Sequence, residues 1–378
     1  MTTKLTIPTP IINEEEERKQ ADFQEKYEKM MRPNNLVKVV KKAGNKIVEV
    51  VPNQAKEICV DVLKDISEAD LYKKAIEYAS QGFMYLEQLA SEMTVSEGQA
   101  VKKINSITQD NEITTLEEIC FARVNDISKV VNNYRKSDTI LAILEGAGTG
   151  AMGFVGIVPN LAASTFLYFR AVQSVATFYG YDIKKDPSEM EIASAVMMSA
   201  FDPSRDAINN ELVAAISKFM VFTETTAVKQ ASKKTWEAMI EHGGLGLLIA
   251  QIRALANKAA RNALQKAGKS GLEQSVFKNI FEQLGKKAGL KNVGKIMPVI
   301  GGLFGALFDT AQMNKMIEYA DVFYGKRFLA EKEMRINSII NPNLRDESII
   351  IDIDDGEIDI QDQVPTDDPE GEGLEEKI

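Results

Sequence analysis

The stretch LAILEGAGTGAMGFVGIVPNLAASTFLYFRAVQSVATFYGYD, residues 141–182, is the most apolar and glycine-rich part of the chain. Residues 146–169 contain no charged side chain, and five of them are glycine. A second segment, residues 295–329, repeats this character with the sequence KIMPVIGGLFGALFDTAQMNKMIEYADVFYGKRFL. Long uncharged runs are buried in a protein core or in lipid. We therefore interpret the two segments as apolar helical hairpins around which the rest of the chain is arranged.

Outside these hairpins the sequence predicts an all-α fold. Apolar residues recur at helical spacing in several segments, among them residues 67–91 and 116–134, and no sustained period-two alternation occurs in the body of the chain. Thr115, with Glu118 three residues later, is typical of a helix N-terminus. Residues 14–31 are charge-dense, so we expect a solvated helix that docks only weakly.

This pattern divides the chain into three parts. Residues 1–35 are expected to form a flexible N-terminus with a charged helix, residues 36–331 a single large helical domain, and residues 332–378 a linker and a disordered acidic tail. From Asp346 onward the chain has fourteen acidic residues and one basic residue, Lys377. Since the whole chain has a net charge of -10, the part before this tail is mildly basic.

The basic charge of the body is concentrated in residues 253–295, which hold ten Lys or Arg and only two acids. Only Phe277 and Phe281 could serve there as stacking platforms, so nucleic acid is not expected as a partner. An anionic lipid surface suits this charge better, because apolar segments lie nearby in the sequence. Cys59 and Cys120 lie in apolar surroundings outside any CxxC motif, which favours buried free thiols and a cytosolic location.

The glycines of the first hairpin resemble a nucleotide-binding loop only superficially. Gly148, Gly150 and Gly153 satisfy the pattern G-x-G-x-x-G. A dinucleotide site also needs a surrounding βαβ unit and an acidic residue about 20 positions later, and neither is visible. We therefore expect no nucleotide cofactor.

Helix packing explains the glycines better. Gly146 with Gly150, and Gly301 with Gly305, form G-x-x-x-G pairs, which leave a groove where another helix can approach closely. We predict that the two hairpins pack on each other. The residues assigned to this packing or membrane-facing role are Gly146, Gly150, Gly153, Gly156, Pro159, Gly301, Gly302 and Gly305.

Three environments for the hairpins stay open: a buried core, a peripheral or re-entrant membrane insertion, and a true span. Residues 146–169 are long enough to cross a bilayer, but Pro159 interrupts them. The thirteen uncharged residues 296–308 are too few to cross.

Residues suited to catalysis or metal binding are scarce. His242 is the only histidine, so a multi-histidine metal site is excluded, and we expect no metal. Glu145 and Asp309 occupy similar places beside the two glycine-rich runs. They could form a carboxylate pair for acid–base chemistry, or they could be ordinary helix-terminal carboxylates in a polar network.

Several motifs resemble the EcsC family of bacterial proteins. These are GAGTGAMGFVGIVPN at residues 146–160, the MPVIGG run from Met297 with Gly305, and the family-motif residues Arg170, Tyr179, Gly180, Tyr181, Asp182 and Arg327. The resemblance covers roughly residues 36–331. Val158 stands where members often carry an acid, so a functional carboxylate is not expected at that point.

The resemblance implies a bacterial protein at the cytoplasmic face of the inner membrane. Family members are described as associated with membranes or with ABC transporters, so the expected partner is membrane lipid or a membrane protein, such as an ABC transporter. It implies no reaction, and we expect an interaction protein rather than an enzyme. A membrane-inserting effector or defence protein, and a hydrolase with a buried carboxylate site, are the alternatives. The sequence does not predict an oligomeric state.

Overall fold

A computed structural model describes residues 5–31, 84, 87–88, 90–108, 111–136, 159–201, 210–221, 245–265 and 310–341. All regular secondary structure in these ranges is helical, with no strand among them, which confirms the predicted all-α class. The glycine-rich runs and the acidic tail lie outside the described residues. The three-part domain division stays a prediction.

The helices follow one another along the chain as α1 (Glu14–Met31), α2 (Glu97–Asn105), a 3₁₀ helix (Glu117–Phe121), α3 (Val124–Lys136), α4 (Pro159–Phe178), α5 (Pro187–Phe201), α6 (Glu211–Val221), α7 (Leu245–Gln265) and α8 (Thr310–Ile340). Helix α8 is central, because α1, α3, α4, α5 and the 3₁₀ helix all pack against it. Its middle turns are buried almost all round, including several charged side chains. Buried charges need partners inside the protein. Those partners define the polar clusters described below.

The predicted helix at residues 116–134 is real but divided in two. The expected cap is confirmed, since Glu118 N donates to Thr115 Oγ1 at 3.3 Å and Thr115 N donates to Glu118 Oε2 at 3.2 Å. Ala122 is extended, however, which separates the 3₁₀ helix from α3. Glu16 of α1 stabilises the interruption, because its carboxylate accepts a hydrogen bond from the N–H of Val124 at 3.0 Å.

The expectation that α1 docks only weakly is wrong. Its few apolar residues share one face, and Phe23 and Tyr27 are buried in the main core. Phe23 lies against Gly325 of α8, where an added Cβ would fall 2.3 Å from the Phe23 ring. Glycine at position 325 therefore permits the close approach of α1 to α8. The low apolar content of α1 concealed a narrow apolar face that is buried.

Helices α4 and α8 run in the same direction. Adjacent residues of α3 contact both, since Tyr134 donates to Ser174 at 3.3 Å and Arg135 lies 3.9 Å from Glu318. Further along, Tyr179 contacts Asp321 and Tyr181 contacts Glu331. Residue numbers therefore increase in the same direction along both segments, from Ser174 to Tyr181 and from Glu318 to Glu331. The first turns of α4 and α8 consequently lie at the same end of the pair.

Within the described ranges, no helix has both the length and the apolar content that crossing a bilayer requires.

Candidate functional site

The two halves of the family motif meet in a buried ion cluster, here called the Arg327 clamp: Tyr181, Glu189, Arg327 and Glu331. Arg327 binds Glu189 through two parallel hydrogen bonds, with Nη1–Oε2 at 2.7 Å and Nη2–Oε1 at 2.6 Å. Its Nε donates to Glu331 Oε1 at 3.0 Å. The guanidinium carbon lies 4.1 Å from the centroid of the Tyr181 ring. All three guanidinium nitrogens are therefore engaged, in the planar geometry that arginine favours.

The arginines around the clamp favour the ionised form of Glu331. Burial alone would raise the pKa of Glu331, but Arg327, Arg253 and Arg335 outweigh it and hold that pKa below its ordinary value. Burial also lowers the pKa of Arg327, yet Glu189 and Glu331 reverse this and raise it well above the usual range. Since both carboxylates bind one guanidinium, neither is free to exchange protons with a substrate. The clamp joins α5 and α8 to the chain that follows α4.

Tyr179 fixes a second polar contact on α8. Its hydroxyl donates to Asp321 Oδ1 at 2.8 Å, and Ser128 of α3 donates to Asp321 Oδ2 at 2.9 Å. Burial raises the pKa of Asp321, and these two hydrogen bonds partly offset the effect. Asp321 thereby connects α3, α8 and the end of α4.

Gly180 is required by both conformation and space. Its φ is +81°, which favours glycine, and an added Cβ would lie 2.5 Å from Arg335 Nη2 and 2.6 Å from the carbonyl oxygen of Leu116. Arg335 donates to the carbonyls of Tyr179 and Gly180, each at 3.0 Å. The motif YGYD is therefore a helix-ending turn that two arginines of α8 hold in place.

Two predicted motif residues lie apart from the Arg327 clamp. Asp182 Oδ1 accepts hydrogen bonds from the backbone N–H groups of Lys184 and Lys185, both at 3.1 Å, and so shapes the loop before α5. Arg170 donates through Nε to the carbonyl of Met93 at 2.7 Å. Both residues position surface turns.

Two other acids, Glu87 and Glu191, lie close enough to influence each other electrostatically. Burial raises the pKa of Glu87 well above its ordinary value, and the nearby Glu191 raises it further. Burial raises the pKa of Glu191 to about 7. Ser194 of α5 donates a hydrogen bond to Glu87 Oε1. More than a hundred positions separate the two acids, so no local pattern could reveal them.

A third cluster, also missed, surrounds Glu16. Lys332 of α8 lies 2.6 Å from Glu16 Oε1, and Arg123 lies 2.8 Å from Glu16 Oε2. Asn13 and Glu16 exchange hydrogen bonds as a capping box, at 2.9 and 3.2 Å. The spacing of Asn13 and Glu16 was a readable signal for this helix start. The high charge of residues 14–31 hid it, because the whole helix was expected to be solvated.

Most other predicted site residues lie outside the described ranges: Gly146, Gly150, Gly153, Gly156, Gly301, Gly302, Gly305, Glu145 and Asp309. Pro159 is the first residue of α4, where its missing N–H costs nothing. Cys120 is a buried free thiol, as predicted, and burial raises its pKa to about 11. In the part of the chain that the structure describes, no three His, Cys, Asp or Glu side chains converge as metal ligands.

Comparison with known proteins yields one family and one distant relative. The model of the EcsC protein family matches residues 14–329. This match includes α1, which the sequence resemblance had left out. The uncharacterized protein YdbA of Bacillus subtilis (strain 168) is 20% identical over 245 residues, which cover 65% of this chain and 74% of YdbA. No solved structure matches.

Proposed function

The chain belongs to the EcsC protein family, and from this membership we propose that it is a membrane-associated accessory protein. It acts at the cytoplasmic face of the membrane. There it binds lipid, or a membrane protein such as a transporter, through its two glycine-rich segments.

The direction of α4 and α8 is the observation that carries this proposal. The glycine-rich run 146–158 leads directly into α4, and the uncharged run 296–308 is separated from α8 only by Asp309. Because these helices run in the same direction, both uncharged segments enter the described fold at the same end of the helix pair. This common end supports the proposal that the two segments act on one partner.

The polar clusters support an interaction role rather than a reaction. The Arg327 clamp and the Glu16 cluster commit their carboxylates to cations, and these carboxylates are almost completely buried. Such clusters hold the helices in one arrangement, and a rigid helical domain could support the two glycine-rich segments. None of the described contacts favours the effector or the hydrolase hypothesis, and both stay predictions.

Cell fractionation tests the proposal. The tagged full chain, expressed in a bacterium, should sediment with the membranes at low ionic strength and be released by high salt or alkaline carbonate, as a peripheral protein is. A chain found only in the soluble fraction would overturn the proposal.

Glycine substitutions test whether membrane association depends on the two glycine-rich segments. Replacing Gly150 and Gly305 by leucine should remove the close-packing faces and deplete the membrane fraction. Gly98→Ala is the matched control, since a Cβ at Gly98 meets no atom within 4 Å. Circular dichroism should show that all variants keep their helical content.

A further inference from the structure

A helical segment that ends at Met93, before α2, exposes an apolar side chain in its last turn. Met93 has 52% of its surface exposed, more than Ile7, Val221 or Ile340, the other exposed large hydrophobic residues in the described ranges. The next residue, Thr94, is buried, and its hydroxyl lies 2.8 Å from Ser174 Oγ of α4. The turn is therefore fixed to the core while Met93 faces solvent.

Three cations from three different parts of the fold surround this turn. Arg170 of α4 donates to the Met93 carbonyl at 2.7 Å, and Lys184 donates to the Glu92 carbonyl at 3.3 Å. The Lys103 ammonium of α2 lies 5.5 Å from the centroid of the Tyr134 ring and 5.4 Å from that of Phe178, and Tyr134 donates to Ser174, the partner of Thr94. Like charges are thus gathered around one exposed methionine.

These cations are not neutralised by the acids near them. Within the described ranges, Lys103, Arg170 and Lys184 take part in no ion pair. Glu97 and Asp182 both lie within 4 Å of the Lys185 ammonium, at 3.5 and 3.3 Å, and so act on a different cation. Glu92 contributes one exposed negative charge. Among these described residues, four cations stand against three acids.

We infer that the turn at residues 92–94, with Lys103, Arg170 and Lys184, is a docking surface for an anionic lipid bilayer, with Met93 entering the headgroup boundary. An exposed apolar side chain ringed by cations has the chemistry of an interfacial membrane contact. Nucleic acid fits less well, because Tyr134 and Phe178, the described rings beside Lys103, are buried and offer no stacking platform.

This inference rests on the proposed function, but it places lipid contact on a different part of the molecule from the glycine-rich segments. The two ideas can therefore fail separately. Removing one cation should weaken binding to anionic vesicles roughly five-fold, and the effect should shrink as salt is added.

Vesicle cosedimentation of the full chain is the test. Wild type should bind phosphatidylcholine vesicles that contain phosphatidylglycerol and bind pure phosphatidylcholine far less. Met93→Gln and Lys103→Gln should each weaken binding, and the double variant should weaken it most. Val221→Gln and Lys218→Gln, which change an exposed apolar residue and an exposed lysine of α6, are the matched controls and should bind like wild type. Thermal unfolding confirms that each variant is folded.

Each other outcome counts against the inference in a distinguishable way. Patch variants that bind like wild type would overturn the docking surface and leave the proposed function intact. A wild type that sediments with cell membranes but ignores vesicles would overturn it in favour of a protein partner. Competition by inorganic phosphate at matched ionic strength would assign the cations to a small-anion site instead.

Discussion

Glu189 and Glu191 stand two residues apart on α5, yet they have opposite electrostatic surroundings. Glu189 faces α8 and binds Arg327 through two hydrogen bonds at 2.7 and 2.6 Å. Glu191 lies near Glu87, a second carboxylate, and burial raises its pKa to about 7. The same helix thus carries one carboxylate that is paired with a cation and one whose raised pKa lets it keep a proton up to about neutral pH.

This difference shows two ways to offset the free-energy cost of burying a carboxylate. Removing a carboxylate from water is unfavourable, whichever way it faces. In the Arg327 clamp, a guanidinium with matching geometry offsets that cost and fixes the orientation of both partners. In the Glu87–Glu191 pair, a bound proton removes the charge but provides no comparable directional contact. The clamp is therefore expected to be insensitive to pH near neutrality, and the pair sensitive.

Removing the cation from the clamp should make the two regions alike and gives the largest expected effect. Arg327→Met leaves Glu189 and Glu331 buried without their partner, so the free energy of unfolding should fall by about 3–5 kcal/mol. Urea denaturation followed by circular dichroism measures the change.

A triple variant is the matched control for this prediction. Combining Arg327→Met with Glu189→Gln and Glu331→Gln removes both unpaired charges and should recover a large part of the loss. If Arg327→Met alone lowers the free energy of unfolding by less than about 1 kcal/mol, Arg327 does not offset a large cost of burying the two glutamates.

For the Glu87–Glu191 pair, we predict a pH-dependent effect on stability that is smaller than that of Arg327→Met. Between pH 4.5, the ordinary pKa, and about 7, the folded chain holds a proton at Glu191 that the unfolded chain has lost. The free energy of unfolding should therefore fall as the pH rises through this window, by at most about 3 kcal/mol, and by less where water reaches Glu191. Glu191→Gln should flatten this dependence and make the variant more stable than wild type at pH 8.

Urea denaturation between pH 5 and pH 8 measures this profile. Glu92→Gln, at an exposed acid in the same part of the fold, is the control and should leave the profile unchanged. A Glu191→Gln variant with the wild-type slope would assign the pH dependence to other groups.

The sequence predicted what depends on local pattern. Helical class and the Thr115 cap were readable, because helical spacing and capping are short-range features. Tyr181 and Arg327 were named only by resemblance to a family. The contacts that organise the clamp were not readable. Glu189 and Glu331 look like ordinary surface acids until the packing of α5 on α8 brings them to Arg327.

The position of α1 also depends on long-range contacts that the sequence did not reveal. Composition averages over all faces of a helix, so a charged helix with one narrow apolar face resembles a solvated one. Phe23 is buried because Gly325 leaves room for it, and that complementarity joins residues three hundred positions apart. Charged residues of α1 and α8 are likewise buried together, as Glu16 and Lys332 are. Only the tertiary arrangement distinguishes these from exposed charges.

Removing one hydroxyl from the clamp should have the smallest effect and would sharpen the comparison most. Tyr181→Phe deletes the hydrogen bond from the phenol to Glu331 Oε2, which measures 3.0 Å, while leaving the ring beneath Arg327. The expected loss is about 1 kcal/mol, because Arg327 still neutralises Glu331. A double-mutant cycle with Glu331→Gln measures the coupling between the hydroxyl and the charge. Coupling near zero would mean that the cation alone holds Glu331. Coupling larger than the single loss would mean that the motif tyrosine acts with the cation in keeping Glu331 ionised.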